Sequence, residues 1–166
     1  MKKILIPVDF SDYTWSTIEF ALQMSENTAA EIRLIHAFDD PFVDRDIAAT
    51  PFQNQVSAQT EALIHKMEKD AMEAMEALIV KVKAAVRHRA ENQLKLSSKV
   101  VRGFVSDEIL REAKLWHPHL LLMGSRGHTR VEKFVFGTIT QSIVKNATVP
   151  VLALPANYNF RPMRQI

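Results

Sequence analysis

"HLLLMGSRGHTRVEKFVFGTITQSIVKNA" (119–147) is the stretch on which the reading of the whole chain turns. It opens with an apolar run, crosses a segment holding three of the chain's four glycines, and closes in a pattern of helical period. A short run that is apolar throughout fits a strand covered on both faces, as in a parallel sheet between helix layers. Glycine lowers the stability of helices and strands, so the cluster of Gly124, Gly127 and Gly137 calls for a reason. Gly124 to Gly127 form a sharp turn at the strand's carboxyl end, and Gly137-Thr138 open the following helix.

The same alternation runs through the rest of the chain. Strands are read at "KILIPV" (3–8), "EIRLIHAF" (31–38), a segment from near Lys95 that ends in "VVRGFV", "HLLLMG" (119–124) and "VPVLALP" (149–155). Helices are read at "SDYTWSTIEFALQMSEN" (11–27), "SDEILREAKLWH" (106–117) and "GTITQSIVKNA" (137–147). Ser11 and Asp12 suit the amino end of the first, where a side-chain oxygen can accept from backbone N–H groups. Ser106, Asp107 and Glu108 suit the positive end of another. Between the second and third strands Ile64, Met67, Ala71, Met75, Leu78, Val82 and Val86 recur three or four apart, which marks a long amphipathic helix. Its methionines read as core filler. Strand and helix alternating in this way imply an α/β fold, a parallel sheet with helices on both faces. Residues 39–60 read as a loop insert, 156–166 as a tail, and 1–155 as one domain.

Composition narrows the function. A chain of 166 residues that is 47% hydrophobic and 24% charged can bury a core. Its formal charge of +2 is too balanced to suggest nucleic acid as a partner. The absence of cysteine excludes disulfides, a thiolate nucleophile and Cys-based zinc sites. "MKKILIPVDF" breaks at Pro7 and Asp9, too early for a secretory signal, and no window approaches a membrane span. A cytoplasmic protein is expected.

Ligands of such sheets bind beyond the carboxyl ends of the strands, where the strand order reverses. The glycine segment begins at such an end. Backbone N–H groups in a tight turn converge on an anion, and a helix amino end presents further N–H groups. Two such devices can hold neighbouring phosphates, with Thr138 as a hydroxyl donor and Arg126, His128 and Arg130 adding charge. On spacing alone, a tight turn at Gly124 and Gly127 with packing at Gly137 explains the glycines equally well; their place in the strand–turn–helix unit favours phosphate. Among the other histidines, His36 reads as packed, and His117 and His119 as solvent-facing or capping.

The pattern Gly-x2-Gly-x9-Gly-Ser/Thr, followed by a helix and "VPVLAL", resembles the universal stress protein family. "ILIPVDFSDYT" (4–14), "LIHAF" (34–38), "GFVSDEIL" (103–110) and "LLLMGSRG" resemble its other segments. The resemblance implies a Rossmann-like five-stranded sheet of the adenine nucleotide alpha hydrolase type, in the order 3-2-1-4-5. It implies adenine nucleotide as partner, with ATP and Mg2+ or Mn2+ as cofactors, since all three glycines of the ATP-binding branch are present. By position, Pro7, Val8 and Asp9 line the adenosine pocket and Ala37 meets adenine through its backbone. Gly124 and Gly127 lie against phosphate and ribose; Gly137, Thr138 and Ile139 grip the terminal phosphates. Met123, Ser125 and Arg126 are further candidates, and Gly103 either borders the nucleotide or makes a strand-end turn. Asp9 contacts ribose or adenine, holds a cation through water, or caps the first helix. The resemblance also implies a homodimer through the last strand, Val149 to Leu154. Three functions follow: a nucleotide-dependent stress sensor or switch with little or no turnover, a slow ATPase or phosphoryl- or adenylyl-transferring enzyme, and a nucleotide-free scaffold. The sequence carries no P-loop, kinase or zinc-hydrolase motif, which favours a binding protein over an efficient enzyme.

Overall fold

A computed structural model describes residues 2–26, 28–39, 58–86, 94–125, 136–155 and 158. Residues 40–57 of the insert, most of the tail, and Arg126, Gly127, His128 and Arg130 lie outside the described residues. The elements in chain order are β1 (Lys2–Pro7), α1 (Asp12–Met24), β2 (Ala30–Phe38), α2 (Ala58–Val86), β3 (Leu94–Arg102), α3 (Val105–Trp116), β4 (Leu120–Gly124), α4 (Thr138–Asn146) and β5 (Val151–Leu154). The strands form one parallel sheet in the order β3-β2-β1-β4-β5.

Alternation along each strand divides the core into two layers. Ile4, Ile6, Ile32, Leu34 and Leu122 face Ile18, Ala21 and Leu22 of α1 and Met75 and Val82 of α2. Leu5, Ile35, Leu121 and Met123 face Ile109, Ala113 and Trp116 of α3 and Ile143 of α4. Met75 is only 3% exposed and is core filler as its spacing suggests, whereas Met72 of the same helix is 57% exposed and is not. The central strands β1, β2 and β4 are sealed on both sides, which is why their sequences read as unbroken apolar runs.

Polar contacts lock the α3 layer. Arg33 on β2 donates to Glu112 on α3 at 2.7 Å, and Lys99 on β3 donates to its other oxygen at 2.5 Å. Arg33 also lies 4.4 Å from the Trp116 ring centre, a cation–π contact. Burial pushes the Glu112 carboxyl up, but hydrogen bonds from Lys99 and Arg33 outweigh it and hold it below the usual glutamate value.

Helix starts depart from the sequence reading. Ser11 is the N-cap of α1, yet its side chain makes no bond to the helix; its hydroxyl donates to Asp9 instead, at 2.6 Å. At α3 the acidic residues Asp107 and Glu108 occupy the first turn, but the side chain that reaches a first-turn amide is Asp39, from just beyond β2, which accepts from Val105 N–H at 3.1 Å. His117 is the C-cap of α3 in the left-handed conformation, φ 51°, and His119 Nδ1 accepts the Lys3 N–H at 2.9 Å.

Candidate functional site

β2 and β4 lie on opposite sides of β1, so the chain's winding reverses there and a crevice opens beyond the carboxyl ends. Its cavity volume is about 190 Å³. The floor comes from strand ends: Pro7, Val8 and Asp9 after β1, Ile35, His36 and Ala37 of β2, Met123 and Gly124 of β4. The walls come from helices, with Tyr13, Thr14 and Thr17 on the α1 side and Val105, Ile109, Ile139 and Thr140 on the α3 and α4 side. An apolar slot with a few convergent polar groups is the usual build of a small-molecule site.

Asp9 is held hard. Its Oδ1 accepts from Ser11 N–H at 3.0 Å, Ser11 Oγ at 2.6 Å and Thr14 Oγ1 at 2.9 Å, while its own N–H donates to Thr14 Oγ1 at 3.3 Å. This is the turn-closing arrangement open to an aspartate at a helix entrance. The carboxylate is thus fixed at the crevice floor before any ligand arrives. The turn itself is strained, because Phe10 adopts φ 60° with a bulky side chain.

The far end of the crevice is assembled from β4 and α4. Ser125 N–H donates to Leu154 C=O at 2.6 Å, and Ser125 C=O accepts the Gly137 N–H at 2.9 Å. Thr140 Oγ1, buried at 3% exposure, donates to Gly124 C=O at 3.3 Å. These bonds bring the end of β4 and the start of α4 together. Gly137 is the N-cap, and its amide is spent on Ser125. The amides of Thr138, Ile139 and Thr140 follow it, and a helix has no carbonyl of its own for its first N–H groups.

Gly137 has φ −68° and ψ 160°, a conformation open to any residue. Among the described residues a Cβ built there meets nothing nearer than Ser125 C=O at 3.8 Å, an ordinary contact. Neither the backbone angles nor the described neighbours ask for glycine here. Gly103 differs, since φ is +147° and a Cβ would come within 2.9 Å of Glu108 Cγ. The strand-end turn accounts for it, and it does not line the crevice.

Of the residues singled out from sequence, Pro7, Val8, Asp9, Ala37, Met123, Gly124 and Ile139 line the crevice. Gly137 and Thr138 stand beside it at the start of α4, while Arg126 and Gly127 lie outside the described residues. Sequence reasoning missed Tyr13, Thr14, Thr17, Ile35, Val105, Ile109 and Thr140, and read His36 as packing. Thr14 and Thr17 were findable: they share the helical period of the buried residue Ile18, and a hydroxyl on a buried face needs a partner.

The universal stress protein family model matches residues 1–155. The chain belongs to the universal stress protein family. A universal stress protein of Methanocaldococcus jannaschii is 28% identical over 153 residues, spanning 92% of this chain and 81% of the relative. The structure of universal stress protein UspA from Lactobacillus plantarum superposes with a TM-score of 0.71 at 21% identity, covering 92% of this chain and 97% of the other. A family member from Arabidopsis thaliana, solved with AMP bound, has a TM-score of 0.56 at 17% identity and covers 93% and 91%. At these identities the structures speak for the shared fold.

Proposed function

We propose that this universal stress protein binds an adenine nucleotide, ATP with Mg2+ or Mn2+, and serves as a nucleotide-dependent stress sensor or switch with little or no turnover. The observation that carries the reading is Gly137. An N-cap with extended dihedrals is where Ser, Asp or Asn serves a helix about a few tenths of a kcal/mol better than glycine, and the chain forgoes that small gain. A glycine that neither its backbone angles nor its described neighbours require is accounted for by a ligand that comes against the main chain. Phosphate on the first amides of α4 is such a ligand. The AMP in the Arabidopsis relative supports the nucleotide class.

The residues present fit a metal carried in with the nucleotide. The described residues hold no cluster of three or more His, Asp and Glu, and among them Asp9 is the one acid on the crevice lining. Magnesium typically takes one or two carboxylates and relies on phosphates and water for the rest. Low turnover is part of the proposal because the sequence carries no P-loop, kinase or zinc-hydrolase motif. Among the described lining residues no second carboxylate stands ready as a base, and hydrolysis needs a positioned water and a group to orient it.

Gly137→Asp tests the reading through two effects of opposite sign. The aspartate caps α4 and should stabilise the ligand-free protein only slightly, by about a few tenths of a kcal/mol. It should also repel phosphate. Wild type should gain about 2.7 kcal/mol from Mg-ATP at 100 times the dissociation constant, and the variant none. An equal gain in both would contradict the proposal. Assembly belongs to the same reading: β5 is an edge strand with Leu152 36% exposed, which suits pairing with a second copy. Light scattering should give a dimer mass, reduced to monomer by Leu152→Lys.

A further inference from the structure

His36 lines the crevice without figuring in any expected ligand contact, and its bonding has a consequence for the neighbouring strand edge. Its Nδ1 lies 2.8 Å from Val8 C=O. A carbonyl only accepts, so Nδ1 carries the proton and donates. The ring is braced by Phe10, whose centroid is 4.4 Å away at 37°, and Phe10 holds this place at φ 60°, a strained backbone for an aromatic residue.

The β1–β2 ladder stops one rung early. Its last pair is Pro7 with Ile35, closed by Val8 N–H donating to Ile35 C=O at 2.8 Å. In a parallel ladder the next bond runs from the amide two residues on, Ala37, to the Val8 carbonyl. That bond is not formed among the described residues; the imidazole holds the Val8 carbonyl instead. Backbone groups alternate sides along a strand, and Phe38 C=O serves β3 by accepting from Gly103 N–H. Ala37 N–H and C=O therefore face the β1 side, past the point where β1 has left the sheet. A buried strand end offering one donor and one acceptor side by side matches the edge of adenine that carries a ring nitrogen and an amino group.

We infer that His36 is a positioning residue: by taking the Val8 carbonyl it keeps the Ala37 amide available to the base. This rests on the nucleotide reading above and adds how base recognition is built. Phe10 serves the same end by fixing the imidazole. Without His36 the Val8 carbonyl would turn to the Ala37 amide, the sheet would gain a rung, and the base would lose its donor.

Three measurements on the full chain test this. In ligand-free wild type, the Ala37 amide should exchange with solvent much faster than that of Ile35, and AMP should slow it. An Ala37 amide as protected as Ile35 without ligand would overturn the inference with no variant needed. By calorimetry, His36→Leu should bind AMP about tenfold more weakly, the worth of one hydrogen bond. Inorganic tripolyphosphate, which has no base, should bind the variant as it binds wild type. His36→Asn, whose amide can donate from the Nδ1 position, should recover most of the AMP affinity. Unchanged AMP binding in His36→Leu, or an equal loss for AMP and tripolyphosphate, would overturn the inference. Failure of wild type to bind either ligand would instead bring down the nucleotide reading itself.

Discussion

Gly103 and Gly137 occupy comparable places, each between a strand's carboxyl end and the helix that follows, and they are glycine for different reasons. At Gly103 the backbone dictates the residue: φ is +147° and Glu108 fills the space a side chain would need. At Gly137 neither condition holds among the described residues, since φ is −68° and the nearest described atom to a Cβ is 3.8 Å off. Phe10 is the converse of Gly137, a turn at φ 60° where glycine would relieve strain and an aromatic residue stands instead. Both mismatches between residue and local demand lie at or beside the crevice. Departures of this kind are expected at functional sites, where local consistency gives way to a ligand. His117, with φ 51°, lies at the other end of α3 and is a residue type that tolerates the left-handed region better than most.

The largest effect that would break the comparison comes from exchanging the demands. Gly103→Ala should cost about 2 kcal/mol, seen as a melting point lower by roughly 4–8 °C, because it combines strain with a clash. Its nucleotide-induced stabilisation should match wild type. Loss of that response would make Gly103 part of the site and erase the contrast with Gly137.

A smaller effect concerns the α3 layer that holds Gly103 in place. Glu112→Gln removes a charge paired to Arg33 and Lys99, whose side chains are 25% and 39% exposed, so the loss should be about 1–2 kcal/mol at neutral pH. The folded carboxyl titrates below its unfolded value of 4.5. Its contribution is therefore complete above that value and is lost as pH falls through the lower, folded one. Denaturation of both proteins across pH 2 to 7 should show the gap between them closing on the acid side. A gap independent of pH would mean that the ion pairs do not carry it.

The smallest effect is at His117. His117→Gly relieves a left-handed C-cap and should raise stability by about 0.5 kcal/mol, with no change in nucleotide response. A decrease would show that the imidazole does more at this end of the sheet than its conformation requires.

Much of the fold was legible because burial on both faces leaves an unmistakable mark: "LLLM" and "ILI" admit few partners other than helix layers. The order of the strands came from family resemblance rather than periodicity, which carries no information about neighbours. At the site, the glycines and Asp9 stood out as residue types with special backbone or charge behaviour. Val105, Ile109 and Thr140 did not, because a wall residue looks like any other core residue until the crossovers set it beside the strand ends. His36 was the hardest to read. Its role depends on where the ladder stops, a matter of register between two strands that "LIHAF" alone does not contain.

The central claim is that nucleotide lies across the strand ends with its phosphates on the amides opening α4. Titration of isotope-labelled protein with Mg-ATP, followed by amide resonances, tests it most directly. The largest shifts should fall on Val8, Ala37, Gly124 and Thr138 to Thr140, with Gly103 unmoved. Shifts absent from the start of α4, or centred on Gly103 and the start of α3, would contradict it.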